Sequence, residues 1–273
     1  MAVDGTRRLP KLARVIRAAV RLLLVLVFSS ALGAADATPA TASPVSKGTI
    51  VIVHGAWAGA WQSAKIEPLL RAQGYDVRRL TLTGLGERVH LATPEVGLST
   101  HIQDVVNVLL FERLDHVILL GHSYGGMVIT GVADRVPERI ARLVYLDAFL
   151  PDDGESVTAI GAAGIDFAAH VRDGFILPWW QSPTKPVPND VPMPLKTFTE
   201  PIVLKNSARA KVPATYILTV DPGKKPEQDG FWFSAERARQ RGWPVVIMEA
   251  DHVPQWRKPA ETAELLTRSL SSP

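Results

Sequence analysis

The stretch Gly121-His122-Ser123-Tyr124-Gly125 follows the apolar run His116–Leu120 and opens onto Gly126-Met127-Val128-Ile129. A serine with a glycine two places before and two places after it, between a strand and a helix, marks a sharp turn. The serine there takes strained backbone angles, and the glycines keep the neighbouring strand and helix clear. Ser123 then projects at a helix N-terminus, where free N–H groups and the helix dipole favour negative charge. A serine hydroxyl is a weak nucleophile until a base takes its proton. The spacing therefore calls for a histidine elsewhere in the chain.

"VVIMEADHVPQW" supplies one: a strand, a short loop, then His252. The other histidines are worse placed. His122 is locked in the serine turn and His54 in a backbone turn, while His90, His101, His116 and His170 fall in loops or at element ends and read as solvated or structural. A histidine base needs a carboxylate to hold its tautomer and stabilise the imidazolium. Two aspartates answer. Asp147 ends the apolar run "LVYLDAF", and a carboxylate buried there needs a partner. Asp221 follows the run Ala214–Thr219. Asp251 adjoins His252, so its side chain should point away. Acyl transfer also needs N–H donors for an oxyanion. Tyr124, next after the serine, offers one, and Ala56 in "HGAWAGAW" offers the other.

With no cysteine in the chain, disulfides, thiolate nucleophiles and cysteine metal sites are excluded. No histidine pair stands at helical spacing with an acidic third ligand, so neither metal nor cofactor is expected.

These groups need a scaffold. Short β-rich runs alternate with helical patterns: strand Thr49–Val53, helix Trp61–Gln73, strand Val77–Thr81, a helix from Ser99 or Thr100 to Glu112, strand His116–Leu120, helix Gly125–Val136 and strand Ile140–Leu146. An irregular stretch over 152–212 intervenes, rich in proline between Pro178 and Pro201. Strand Ala214–Thr219, helix Phe231–Arg241, strand Val245–Met248 and helix Pro259–Leu270 complete the series. Alternation of this kind predicts an α/β fold with a mostly parallel sheet covered by helices on both faces. Ligands in such sheets bind beyond the carboxyl ends of the strands.

The composition is that of a globular protein, 47% hydrophobic and 21% charged over 273 residues. The net charge of +3 is local. Setting aside the six basic and two acidic residues of 1–37 leaves 24 basic and 25 acidic, so the body offers no electrostatic case for nucleic acid or anionic lipid. In that first segment a basic region precedes "LLLVLVFSSALGAA" and Ala35-Asp36-Ala37, which reads as a cleavable export signal over 1–37 with a linker over 38–48. The apolar run is short for a membrane span. The expected location is secreted or periplasmic, with an uncleaved N-terminal anchor as the alternative, and a single folded domain over 49–273. Nothing in the sequence fixes the oligomeric state.

Taken together, "VHGAWAGAW", "PLLRAQGYDV", "LLGHSYGGMVI", "PERIARLVYLDAFLPD" and "DHVPQWRKPAETAELL" resemble the α/β-hydrolases, within them the branch of plant methyl esterases, hydroxynitrile lyases and bacterial esterases. The resemblance implies a lid over 152–212, the chain order of serine first and histidine last, and hydrolysis of a small-molecule carboxylic ester. A lyase or carbon–carbon hydrolase on the same triad is the first alternative, and a slow-turnover ligand-binding receptor the second. The lyases of this branch carry a threonine where this chain has Gly55 and a lysine where it has Val253, which favours the esterase. The branch's usual acid position, in a "T-E-D" pattern, holds Pro222 here, one residue past Asp221. Other α/β-hydrolases place the acid where Asp147 stands, so Asp147 is slightly preferred to Asp221. Lid aromatics Phe167, Phe175, Trp179 and Trp180, with Ile176 and Leu177, suggest an apolar pocket, to which Trp57 and Phe149 are assigned. The bland alternative is that Trp179 and Trp180 glue the lid to the core.

Overall fold

A computed structural model describes residues 46–161, 166–182 and 184–271. The expected signal segment, and the expected linker as far as residue 45, lie outside the described residues.

Strand β1 (Thr49–Val53) is a β-branched run, apolar after its first residue. Next come α1 (Glu67–Ala72), β2 (Asp76–Leu80), α2 (Leu98–Phe111), β3 (Val117–His122), α3 (Gly125–Arg135) and β4 (Ile140–Leu146). The helix expected over Trp61–Gln73 is divided: a 3₁₀ turn, Ala60–Ser63, precedes α1. Pro68 explains the break. It stands in the first turn of α1, where its missing N–H costs nothing, and it cannot continue a helix arriving from before it. Strand β3 runs to His122, two residues beyond the expected end, and so delivers Ser123 directly.

The insert after β4 is less irregular than its composition suggests. It holds α4 (Val157–Ile160), β5 (Val171–Arg172), β6 (Phe175–Ile176), β7 (Met193–Pro194) and α5 (Lys196–Thr199). The Ser156 hydroxyl caps α4 by accepting the Ala159 N–H at 3.2 Å. Strands β5, β6 and β7 form a small antiparallel sheet. The chain then returns through β8 (Ala214–Val220), α6 (Trp232–Gln240), β9 (Val245–Glu249), α7 (Pro254–Arg257) and α8 (Pro259–Ser271).

The main sheet has strand order β2-β1-β3-β4-β8-β9 with every pairing parallel. Alternate residues of each strand face opposite sides. Val51, Val53, Leu119, Leu143, Tyr145, Tyr216 and Leu218 join a core with α2, α3 and α6. Ile50, Ile52, Leu120, Val144, Leu146 and Ile217 pack on the other side with α1 and α8. The chain leaves β1 towards β2 on one side and later sets β3 on the other. The loops after β1 and β3 therefore diverge, and a crevice opens between them. Both expected N–H donors, Ala56 and Tyr124, stand at that point. Among the described residues no helix is long and apolar enough to cross a membrane.

Candidate active site

Strands β3 and β4 pair so that His122 lies opposite Leu146. The next residue on each strand is therefore Ser123 on one side and Asp147 on the other. Both adopt positive φ, 54° and 45°. Such backbone costs of order 1–3 kcal/mol per residue and persists only where the surroundings enforce it. Here they do. The Ser123 N–H donates to Leu146 O at 3.2 Å, and Ser123 O accepts from Gly126 N–H at 3.0 Å and Phe149 N–H at 3.1 Å. The Asp147 N–H donates to Ile217 O at 2.7 Å. The flanking glycines are obligatory: a Cβ on Gly121 would sit 2.6 Å from Gly125 O, and one on Gly125 would sit 2.6 Å from Val53 O.

The three expected groups meet in one line. His252 Nε2 is 3.0 Å from Ser123 Oγ, and His252 Nδ1 is 2.6 Å from Asp147 Oδ2. The buried Asp147 carboxylate is otherwise met by the Thr219 N–H, 3.0 Å from Oδ1. This fixes the tautomer: Nδ1–H donates to Asp147, leaving the Nε2 lone pair facing the Ser123 hydroxyl. Burial disfavours the charged imidazole. The hydrogen bond and charge of Asp147, aided by Asp229 and Asp251, more than offset that and hold the pKa of His252 above its ordinary value. Asp221 does not reach the ring; it pairs with Lys224 at 2.7 Å. Asp251 accepts the Val253 N–H at 3.1 Å and sits 3.4 Å from Arg257.

The histidine ring is held on both sides. Phe231 stacks on it at 5.0 Å and 5°, and His122 lies across it at 4.8 Å and 40°. His122 also donates from Nε2 to His252 O at 2.6 Å, and burial holds it neutral, far below the usual histidine range. Ala56 and Tyr124 flank the serine, and neither N–H has an acceptor among the described residues. Tyr124 is anchored through its hydroxyl, 3.0 Å from His101 Nδ1. His101 is fully buried in the first turn of α2 and therefore structural, with no solvated face.

Above these groups lies a cavity of about 440 Å³. Trp57, Phe149, Trp179 and Trp180 all line it, with Phe167, Phe198 and Phe231. Of the other lid residues expected there, Phe175, Ile176 and Leu177 are not in its wall, and Ile176 is in the core. Trp57 joins insert to sheet: its indole N–H donates to Ile176 O at 2.9 Å, and Trp179 and Trp180 meet its ring edge-on at 5.7 and 4.8 Å. The two lid tryptophans thus both line the cavity and tie the insert down. Sequence reasoning missed Phe198, Phe231 and Asp229. For the last two there was a signal, an aspartate two residues before an aromatic at a helix start: the Asp229 carboxylate caps that turn by accepting the Phe231 N–H at 2.8 Å.

Residues 50–265 match the model of the alpha/beta hydrolase family, and the chain belongs to it. It is 37% identical over 237 residues to a carbendazim hydrolyzing esterase of Nocardioides sp. (strain SG-4G), covering 79% of this chain and 97% of that one. Methylesterase 8 of Arabidopsis thaliana is 33% identical over 107 residues, 39% of each chain. Among solved structures, an extracellular α/β-hydrolase from a Paenibacillus species superposes with a TM-score of 0.64 at 25% identity, covering 81% of this chain and 98% of its own.

Proposed function

We propose that this chain is a carboxylic ester hydrolase working through an acyl-enzyme, with Ser123 as nucleophile, His252 as base and Asp147 as acid. One observation carries the reading: the hydrogen-bonded line Ser123–His252–Asp147 opens into a largely aromatic cavity beside two unengaged N–H groups. The mechanism follows from the atoms. Ser123 Oγ attacks the ester carbonyl as His252 Nε2 takes its proton. The N–H groups of Ala56 and Tyr124 stabilise the tetrahedral oxyanion. The imidazolium, held by Asp147, returns its proton to the leaving alkoxide. Water then repeats the sequence on the acyl-enzyme.

The esterases among the relatives support ester hydrolysis. The aromatic wall supports a substrate with a hydrophobic or aromatic group. A lyase reading is weaker, because Gly55 and Val253 offer neither hydroxyl nor cation. The test is Ser123→Ala. Turnover of a p-nitrophenyl ester should fall by roughly 10⁴ to 10⁶, as when a triad member is lost in comparable enzymes, with the circular dichroism spectrum unchanged. Retention of more than about a tenth of the activity would remove Ser123 as nucleophile. Burst kinetics separate the enzyme from a pure binder, which accumulates no acyl-enzyme. We also propose export, with the lid at 152–212 closing the cavity: intact-mass measurement of secreted protein should find a start near Asp36 or Thr38.

A further inference from the structure

Among the described residues, the wall of the cavity that holds Ser123 and His252 has no lysine or arginine. It has four carboxylates: Asp147, Asp190, Asp221 and Asp229. Two are paired with basic side chains. Asp147 is spent on His252 and Thr219, and Asp221 on Lys224. Asp190 accepts the indole N–H of Trp180 at 3.0 Å, within the lid.

Asp229 is different. It lies two residues from Phe231, whose ring covers His252, so it belongs to the turn that bounds the reacting groups. Only one of its oxygens is engaged, by the Phe231 N–H, and no cation lies within ion-pair distance among the described residues. Burial, together with the negative charge of Asp147, pushes its pKa up to about 6. It is therefore ionised above neutral pH and half withdrawn from water, with His252 and Lys224 acting on it only at a distance. A carboxylate so placed repels a second anion and attracts a cation or a strong N–H donor more than it would in bulk water.

We propose that Asp229 sets the charge specificity of this cavity: it selects substrates that carry a basic nitrogen or an N–H donor beside the scissile ester and rejects those with a free carboxylate. The inference rests on the ester-hydrolase reading and names a substrate class for it. The same charge acts on the product side. Hydrolysis releases a carboxylate from the acyl half, and Asp229 hastens its departure.

The experiment compares three p-nitrophenyl acyl esters of matched length at about pH 8: one ending in a trimethylammonium group, one in a tert-butyl group, one in a carboxylate. Wild type should show kcat/KM in the order cation, neutral, anion, with cation over anion at least about a hundredfold. In Asp229→Asn that ratio should shrink by about tenfold or more, and in Asp229→Glu, which keeps the charge, it should persist. The ratio is insensitive to the fraction of folded enzyme, so a poorly folding variant still reports. Cation and anion handled within about twofold by wild type, or an unchanged ratio in Asp229→Asn, overturns the proposal. Calorimetric titration of Ser123→Ala protein with the same esters reads the order without turnover. Charge order kept with no hydrolysis by wild type would remove the hydrolase reading and leave this one standing.

Discussion

Asp147 and His252 stand 105 residues apart in the chain, yet the carboxylate meets His252 Nδ1 at 2.6 Å. The contact is built by the sheet. Strand β4 delivers Asp147 next to Ser123, and β8 lends the Thr219 N–H that fixes the second carboxylate oxygen. The acid therefore sits two strands inward from the loop after β9 that carries the histidine, and the imidazole reaches across to it.

That arrangement separates the two aspartates by experiment. Asp147→Asn should lower turnover by about 10⁴, as for other triad acids made neutral, because the amide favours the wrong tautomer. Asp221→Asn should cost under about tenfold, since its carboxylate serves Lys224. Steady-state kinetics on both variants decide it, and a larger loss at Asp221 would reverse the assignment.

Asp147 was legible in the sequence only as one of two candidates, because a charged residue closing an apolar strand demands a partner while Asp221 also follows a strand. Its companion was legible because His252 follows the last strand in a loop. What could not be read was the join between them. It depends on the β3–β4 register and on a backbone N–H of β8, and neither leaves a residue-type signature. The same holds for Phe231, whose position over His252 depends on how the turn after β8 folds. Strand β4 agrees to the residue because Pro137 before it and Asp147 after it punctuate the run. The insert did not yield, because strands of two residues and helices of four are shorter than the periods by which a sequence reveals them.

Gly55 admits no side chain. A Cβ there would lie 2.8 Å from His122 Nδ1 and 3.1 Å from Ser123 Cβ. His122 has no room to retreat, being held at Nε2 by His252 O, with the Gln62 side chain packed 3.1 Å from Nδ1. Gly55→Ala should therefore destabilise the fold by about 1–3 kcal/mol, the usual range for overpacking. It should also cut turnover at least about tenfold, because the displaced groups carry the serine and the histidine loop. Urea midpoints and ester kinetics test both; a variant matching wild type in each would show that the turn yields.

The pH dependence of activity has a defined sign. In the proposed mechanism His252 accepts the serine proton only when neutral, and Asp147 holds its pKa above the ordinary 6.5 despite burial. The acid limb of kcat/KM, which reports the free enzyme, should therefore be centred above 6.5. A midpoint below that value would mean that burial outweighs the carboxylate.

Stability should follow pH through the buried histidines. Burial pushes the pKa of His54 and of His101 down to about 4, with the unfolded value at 6.5. Above 6.5 both are neutral in either state and their contribution to stability is fully present. As pH falls below 6.5 the unfolded chain takes up protons that the fold refuses, so stability is lost until about 4, where the folded groups titrate too. His252 runs the other way: its contribution is full below 6.5 and lost as pH rises through its raised folded pKa. Each buried neutral histidine adds a slope of up to about 1.4 kcal/mol per pH unit in that window. His101 can be removed cleanly. It accepts the Tyr124 hydroxyl at Nδ1 and donates from Nε2 to Thr83 O at 2.9 Å, roles that a glutamine amide can reproduce without titrating. In His101→Gln, the fall in urea midpoint between about pH 6.5 and 4.5 should be shallower than in wild type by about one histidine's share. Equal slopes in the two proteins would mean that His101 is already protonated, or exposed to water, in the folded state.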